Sequence, residues 1–151
     1  MTGEAFRVTE VGAEATHDLR RLVLRDAKPD AEVRYAEDDQ PEAFHLAVLD
    51  DADGVVAVST WAPVPTERRP GLVSWRLRGM AVAPGQQGTG VGSLLLAAAI
   101  DRLRTAGVEV VWADGRDTAL AFYERHGWAV EGEGYLSGPE IPHHTVVLDL
   151  R

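Results

Sequence analysis

The segment Gln87-Gly88-Thr89-Gly90-Val91-Gly92-Ser93 has the residue types and the spacing to hold an anion. Glycines at 88, 90 and 92 remove alternate Cβ atoms, so backbone N–H groups can approach a ligand closely. The apolar run that begins at Val91 reads as a helix, whose unpaired N-terminal donors and dipole favour negative charge. That is the chemistry of a pyrophosphate cradle. A Walker A loop needs Lys before the Ser, where Gly92 stands. A Rossmann turn needs G-x-G-x-x-G early in a βαβ unit, whereas this G-x-G-x-G follows an antiparallel meander. On the glycines alone, a plain flexible turn accounts for the segment equally well.

Other side chains carry their own chemistry. Tyr123 is either a phenol able to donate a proton at neutral pH or a ring packed beside Phe122. His143 and His144 are either proton acceptors or a structural pair after Pro142. Arg76 and Arg78 suit a carboxylate or phosphate on a substrate, or acids on neighbouring strands. The acidic run Glu37-Asp38-Asp39 reads as a solvated loop or as a lure for a cationic amine. Adjacent histidines point apart on a strand and no carboxylate or thiol has ligand spacing with them, so no metal is expected.

Taken together, two segments resemble one family. Gln87-Gly88-Thr89-Gly90-Val91-Gly92 is similar to the acyl-CoA signature Q/R-x-x-G-x-G/A of the GNAT N-acetyltransferases, and Ala119-Leu120-Ala121-Phe122-Tyr123-Glu124-Arg125-His126-Gly127-Trp128 to their A-x-x-F-Y-x-x-x-G-F segment. Leu77–Val82 and Ile141-Pro142-His143-His144 further resemble a bacterial ElaA-like and YjcF-like subgroup. The resemblance implies acetyl-CoA as co-substrate, with Gln87, Gly88, Thr89, Gly90, Val91, Gly92 and Ser93 around its pyrophosphate. It places Met80, Ala81 and Val82 along the pantetheine arm, counts Arg116 and Phe122 among the CoA contacts, and makes Tyr123 the general acid. Arg78, His143 and His144 are the candidates to face a small amine acceptor. The chain departs from the family at Arg78, near where many members carry a Glu base, and at Arg116, where an Asn is frequent. A silent acyl-CoA-binding regulatory module is therefore the alternative to an enzyme that transfers acetyl directly to a primary amine of a small molecule or peptide.

These residues must be positioned by regular elements. Phe6 to Val11 alternates as a strand, and Ala13 to Leu24 carries Ala15, Leu19, Leu22 and Val23 at helical spacing. Asp26 to Glu42 reads as a long loop or broken helix anchored by Val33 and Tyr35. Phe44–Leu49 and Val55–Trp61 flank an Asp-Gly turn and predict a hairpin, followed by a third strand within Leu72–Val82. Along it the apolar parity changes near Gly79, the mark of a bulge that brings Met80 and Val82 to the core, or of a strand ending in a buried segment. Val91–Thr105 predicts a helix buried nearly all round, Val108–Trp112 an interior strand, and Thr118–His126 a short helix ended by Gly127. Glu131–Leu136, turns at Gly138-Pro139 and Ile141-Pro142, and a strand over Thr145–Leu150 complete a single α+β (mixed α/β) domain over residues 1–151, a mostly antiparallel sheet flanked by helices.

The chain has 151 residues, 15 Lys plus Arg against 24 Asp plus Glu, a net charge of −9 and no cysteine. Such a charge argues against a nucleic-acid partner, whose affinity rests on basic side chains. Without cysteine there is no disulfide framework, no thiolate nucleophile and no covalent acyl-Cys intermediate. The start of the chain lacks the apolar run of a signal peptide, and Leu94–Ile100 is far short of a membrane span. A cytoplasmic monomer or homodimer that touches neither membrane nor nucleic acid is the expectation.

Overall fold

A computed structural model of the chain describes residues 5–138 and 140–151. Residues 1–4, where the stretch read as lacking a signal peptide begins, and Pro139 of the expected Gly138-Pro139 turn lie outside the described residues. The strands are β1 (Arg7–Val11), β2 (Phe44–Leu49), β3 (Val55–Pro63), β4 (Ser74–Val82), β5 (Val110–Arg116), β6 (Ala129–Ser137) and β7 (Ile141–Asp149). They form one sheet in the order β1-β2-β3-β4-β5-β7-β6. Strands β1, β2 and β3 pair antiparallel, β4 and β5 pair parallel over Ser74–Arg76, and β7 lies antiparallel to both β5 and β6. The helices are α1 (His17–Leu19), α2 (Val91–Thr105) and α3 (Leu120–Arg125). This is the α+β, mostly antiparallel architecture expected from the sequence.

The chain divides into two compact units, Met1–Ala62 with Gly79–Leu103 and Pro63–Arg78 with Arg104–Arg151, and β4 contributes to each. In the first, Leu19, Ala47, Val58 and Ala81 form a buried cluster against which Val11, Val23, Leu49 and Val55 pack. Strand β2 is buried on both faces from Phe44 to Val48, which explains why its sequence is apolar apart from His45. In the second unit the core is the middle of β5 and β7, with Val110, Val111, Ala113, Val146 and Val147 buried, closed by Tyr123 and Trp128.

Several expectations are corrected. The helix expected over Ala13–Leu24 is a 3-10 turn (Ala13–Thr16), the short α1 and a π-helical turn (Arg20–Leu24). Its inward residues are Thr16, Leu19 and Arg20, while Ala15 and Leu22 face out. A charged Arg occupies what the apolar spacing assigned to the core, and the widened turn accompanies its burial. Helix α2 buries only one stripe, Val91, Gly92, Leu95, Leu96, Ala99 and Leu103, and leaves Leu94 exposed. Gly79 does take a left-handed φ of +66°, but beyond it Ala81 is buried and Met80 and Val82 only half so. Ile141 and Pro142 begin β7 instead of turning. Pairing with β5 starts at His143, so the N–H that Pro142 lacks faces no partner on that side.

Candidate functional site

In the first unit, β4 runs out through Met80, Ala81 and Val82 into a 3-10 turn (Pro84–Gln86), and the glycine turn follows. Thr89 closes that turn, its N–H and hydroxyl both donating to the Gln86 carbonyl at 3.2 and 2.6 Å. Gly88 and Gly90 take φ of +83° and +89°, with open space where a Cβ would stand. The first helical bond is Leu94 N–H to the Gly90 carbonyl, 3.0 Å. The N–H groups of Gly88, Gly90, Val91 and Gly92 therefore donate to no described residue. A helix start alone leaves a few orphan donors; here the left-handed glycines add donors from the turn before it. Such a cluster of amides suits a bound anion.

In the second unit, α3 is led by a 3-10 turn (Asp117–Ala119) and carries Tyr123 into the core. The Tyr123 ring packs edge-on to Phe122 at 5.6 Å and against Trp128 at 5.1 Å. It fits beneath Gly115 of β5, where a Cβ would lie 3.3 Å from the ring. Burial pushes its phenol up to about 12, so it stays protonated across the physiological range. Its hydroxyl makes no hydrogen bond to a described residue, which leaves the proton available to a ligand. The packed ring, one of the two readings the sequence left open for Tyr123, is what the structure has, and the phenol keeps its proton. Phe122 is half-buried, and Arg116, also half-buried, ends β5 opposite His143.

The histidines part as expected on a strand. His143 shares a face of β7 with Tyr135 of β6, whose ring stacks on it at 5.9 Å, and its Nδ1 meets the Ile141 carbonyl at 2.7 Å. His144 lies on the other face, its Nδ1 2.7 Å from Asp117 Oδ1 and its ring against Gly134. Arg78 is half-buried. Arg76 pairs with Asp114 at 2.7 Å and lies 5.0 Å over the Trp112 ring. Asp114 also accepts from the Tyr135 hydroxyl, and burial together with that bond pushes the Tyr135 phenol up to about 12.

Sequence reasoning missed Trp112, Asp114, Tyr135 and Asp117. The alternation of Trp112, Asp114 and Arg116 on one face of β5 was the available signal, but its partners come from β4, β6 and β7. The acidic run is corrected too. Glu37 is buried, and Asp38 forms a two-armed pair with buried Arg20 at 2.8 Å on each arm. Arg20 also donates to the Val33 carbonyl at 2.7 Å and to Thr60 Oγ1 at 2.5 Å. Asp38 is therefore an internal counter-ion and no lure for an amine.

Comparison with known proteins agrees with this geometry. Residues 13–128 match the model of the acetyltransferase (GNAT) family, and the chain belongs to that family. It is 29% identical over 142 residues to the uncharacterized N-acetyltransferase YitI of Bacillus subtilis, a match covering 94% of each chain. Among solved structures, the ribosomal-protein-S18-alanine N-acetyltransferase of Escherichia coli superposes with a TM-score of 0.76 at 20% identity, covering 97% of this chain and 94% of that one. An aminoglycoside 6'-N-acetyltransferase complexed with coenzyme A gives 0.72 at 14% identity, covering 96% and 97%. The fold is thus the GNAT acyltransferase fold, and the protein is an acyltransferase.

Proposed function

We propose that the protein transfers acetyl from acetyl-CoA directly to a primary amine of a small molecule or peptide. The observation that carries this reading is the cluster of unpaired amides of Gly88, Gly90, Val91 and Gly92 at the head of α2. Those N–H groups would hold the CoA pyrophosphate, with Ser93, Arg116 and Phe122 as further contacts and the main chain of Met80, Ala81 and Val82 along the pantetheine arm. When bound, the co-substrate supplies the activated acyl group; the protein orients it and manages the protons. The amine nitrogen attacks the thioester carbon, the C–S bond breaks, and the departing sulfur takes the Tyr123 proton. The proton lost by nitrogen leaves to water, from which Tyr123 is recharged, so the step balances as amide plus free CoA thiol. His143 and His144 are the acceptor-side residues of this proposal, with Arg78. The ElaA-like and YjcF-like subgroup is the finer relationship we favour, on Leu77–Val82 and Ile141–His144.

Thiol release from acetyl-CoA across an amine panel tests the transfer. Binding without release on any amine would leave the silent regulatory module. Gly90→Val tests the cradle: acetyl-CoA affinity should fall at least about 100-fold, because a side chain then stands among the donors. Gly107→Val is the control, since Gly107 has φ of +84° and the same open surroundings but no part in the cradle. Equal losses in both variants would show backbone strain alone.

A further inference from the structure

Arg76 and Arg78 suited either an anionic group on the acceptor or acids on neighbouring strands, and Arg76 takes the second course in its ion pair with Asp114. Arg69 is committed too, bonded in two arms to Glu131 at 3.0 and 2.6 Å. Its neighbour Arg68 differs. No described residue hydrogen-bonds the Arg68 guanidinium, yet it has a shaped seat: it lies over Gly132 of β6, where a Cβ would stand 2.1 Å from Nη2. Gly132 takes φ of +77°, within the stretch where the β6–β7 register slips between Glu131 and Tyr135. The strand is thus irregular and side-chain-free at the place the guanidinium occupies.

Arg68 also lines a cavity of about 590 Å³ with Pro65, Thr66, Glu67, Trp112 and Thr145, all within the second unit. The volume suits a small ligand. Trp112 brings an aromatic surface without a donor, because its indole N–H is bonded to the Val64 carbonyl at 2.9 Å. The charges select the anion: Glu67 on the same turn and Glu131 beside Arg68 disfavour a phosphate dianion, whereas a carboxylate on a molecule that also carries an amine suits a wall of both signs. Trp112 lies three residues from Gly115, against which Tyr123 packs, so the cavity and the acid are separated by about 10 Å along β5. A free α-amino acid is too short to place its carboxylate in one and its amine near the other.

We infer that this cavity is the carboxylate subsite of the acceptor, and that the acceptor is a short peptide of two or three residues with a free C-terminus. Its carboxylate sits on Arg68, its apolar side chain on Trp112, and its N-terminal amine reaches the acyl group. The inference rests on the acetyl-transfer reading for the last of these contacts, and on the cavity alone for the others.

The test is calorimetric titration of the full chain with di- and tripeptides ending in Phe or Leu, each as the free acid and as the C-terminal carboxamide. The acids should bind about 10-fold more tightly than the amides, the scale of one charge-assisted hydrogen-bonded pair. Arg68→Gln should erase that preference while leaving acetyl-CoA affinity and the melting temperature unchanged. Gly132→Ala, which displaces the guanidinium without removing it, should weaken the preference in the same direction. Equal binding of acids and amides, no binding of either, or a preference that survives Arg68→Gln overturns the inference. Thiol release separates it from the reading beneath it. Arg68-dependent binding with no release from any amine sinks acetyl transfer and keeps the subsite, and release indifferent to the carboxylate does the reverse.

Discussion

The arginine pair buried in the first unit and the arginine pairs of the second are built in opposite ways. In the first, Arg20 is fully buried and its Asp38 partner nearly so, and their bonds extend to the Val33 carbonyl and Thr60, with the Tyr35 ring 4.0 Å from the guanidinium. In the second, Arg76–Asp114 and Arg69–Glu131 are pairs with side chains between 20% and 34% exposed, and the Arg68 guanidinium is hydrogen-bonded by no described residue. A buried pair has no water to fall back on, so its geometry is fixed and each partner is indispensable to the other. A half-exposed pair exchanges with water readily and leaves room for a ligand to compete. The same residue type therefore forms a fixed internal pair at Arg20 and exchangeable, part-exposed pairs at Arg69 and Arg76.

The widest gap should come from breaking the scaffold pair. Asp38→Ala leaves the Arg20 guanidinium charged, buried and short of its two-armed acceptor, and should destabilise the protein by about 3–5 kcal/mol in urea unfolding. Replacing both partners together, Arg20→Met with Asp38→Leu, should recover part of that loss. A cost near zero for Asp38→Ala would remove the contrast between the units.

Tyr123→Phe sharpens the comparison from the other side. It removes one hydroxyl that bonds to no described residue, so the melting temperature should hold while kcat falls about 100-fold or more, the scale of a lost general acid. Because the phenol is pushed up to about 12, wild-type kcat should show no alkaline loss from this group below about pH 10. A fall in stability without a fall in turnover would make Tyr123 a core residue only.

What the sequence revealed follows the same division. The glycine turn, α2, the Asp-Gly hairpin and the Gly127 stop were readable because each is local: φ preference and apolar spacing act over a few residues. The short helix that carries Tyr123 was readable through its segment. Arg20 was not, since its spacing marks a helix face and nothing in the flanking residues says that Asp38 and Thr60 will meet it from 18 and 40 positions away. Asp114 and Tyr135 were hidden for the same reason, as was the seat that Gly132 makes for Arg68. The site's backbone part was thus legible and its side-chain constellation was not, because the latter is assembled by sheet register.

A smaller effect is expected from pH. His45 bonds Thr60 at 2.8 Å and lies 4.0 Å from Asp38; burial holds its imidazole below the ordinary 6.5, against the pull of Asp38, with Arg20 adding to the depression and Glu10 and Glu14 opposing it. A depressed histidine binds fewer protons folded than unfolded, so its contribution is complete above about pH 6.5 and is lost as pH falls below it. Burial would raise the Asp38 carboxyl, but Arg20 and the Tyr35 N–H draw it below 3.8, so its contribution is complete above that value and is lost as pH falls through the acid range. Thermal melts should therefore show a first decline below about pH 6.5 that His45→Gln flattens, and a steeper one below about pH 4 that persists in that variant. A single decline untouched by His45→Gln would show that the imidazole titrates outside the network.

The smallest effect should be Arg76→Gln. Removing this arginine leaves Asp114 part-exposed and still bonded by the Tyr135 hydroxyl, so the carboxylate is not stranded as Arg20 would be by the loss of Asp38. Stability should fall by no more than about 1 kcal/mol, the range of surface ion pairs. Added salt should narrow the difference between wild type and variant further, because a half-exposed pair is screened and a buried one is not. The Tyr135 phenol carries a second, independent signature. With the cation gone and the charged Asp114 still beside it, the phenol should titrate higher still, readable as an upward shift in one tyrosine during ultraviolet pH titration. A loss as large as that of Asp38→Ala, or one indifferent to salt, would mean that Asp114 is held as rigidly as Asp38, and the second unit's acids and arginines would then belong to the scaffold as well.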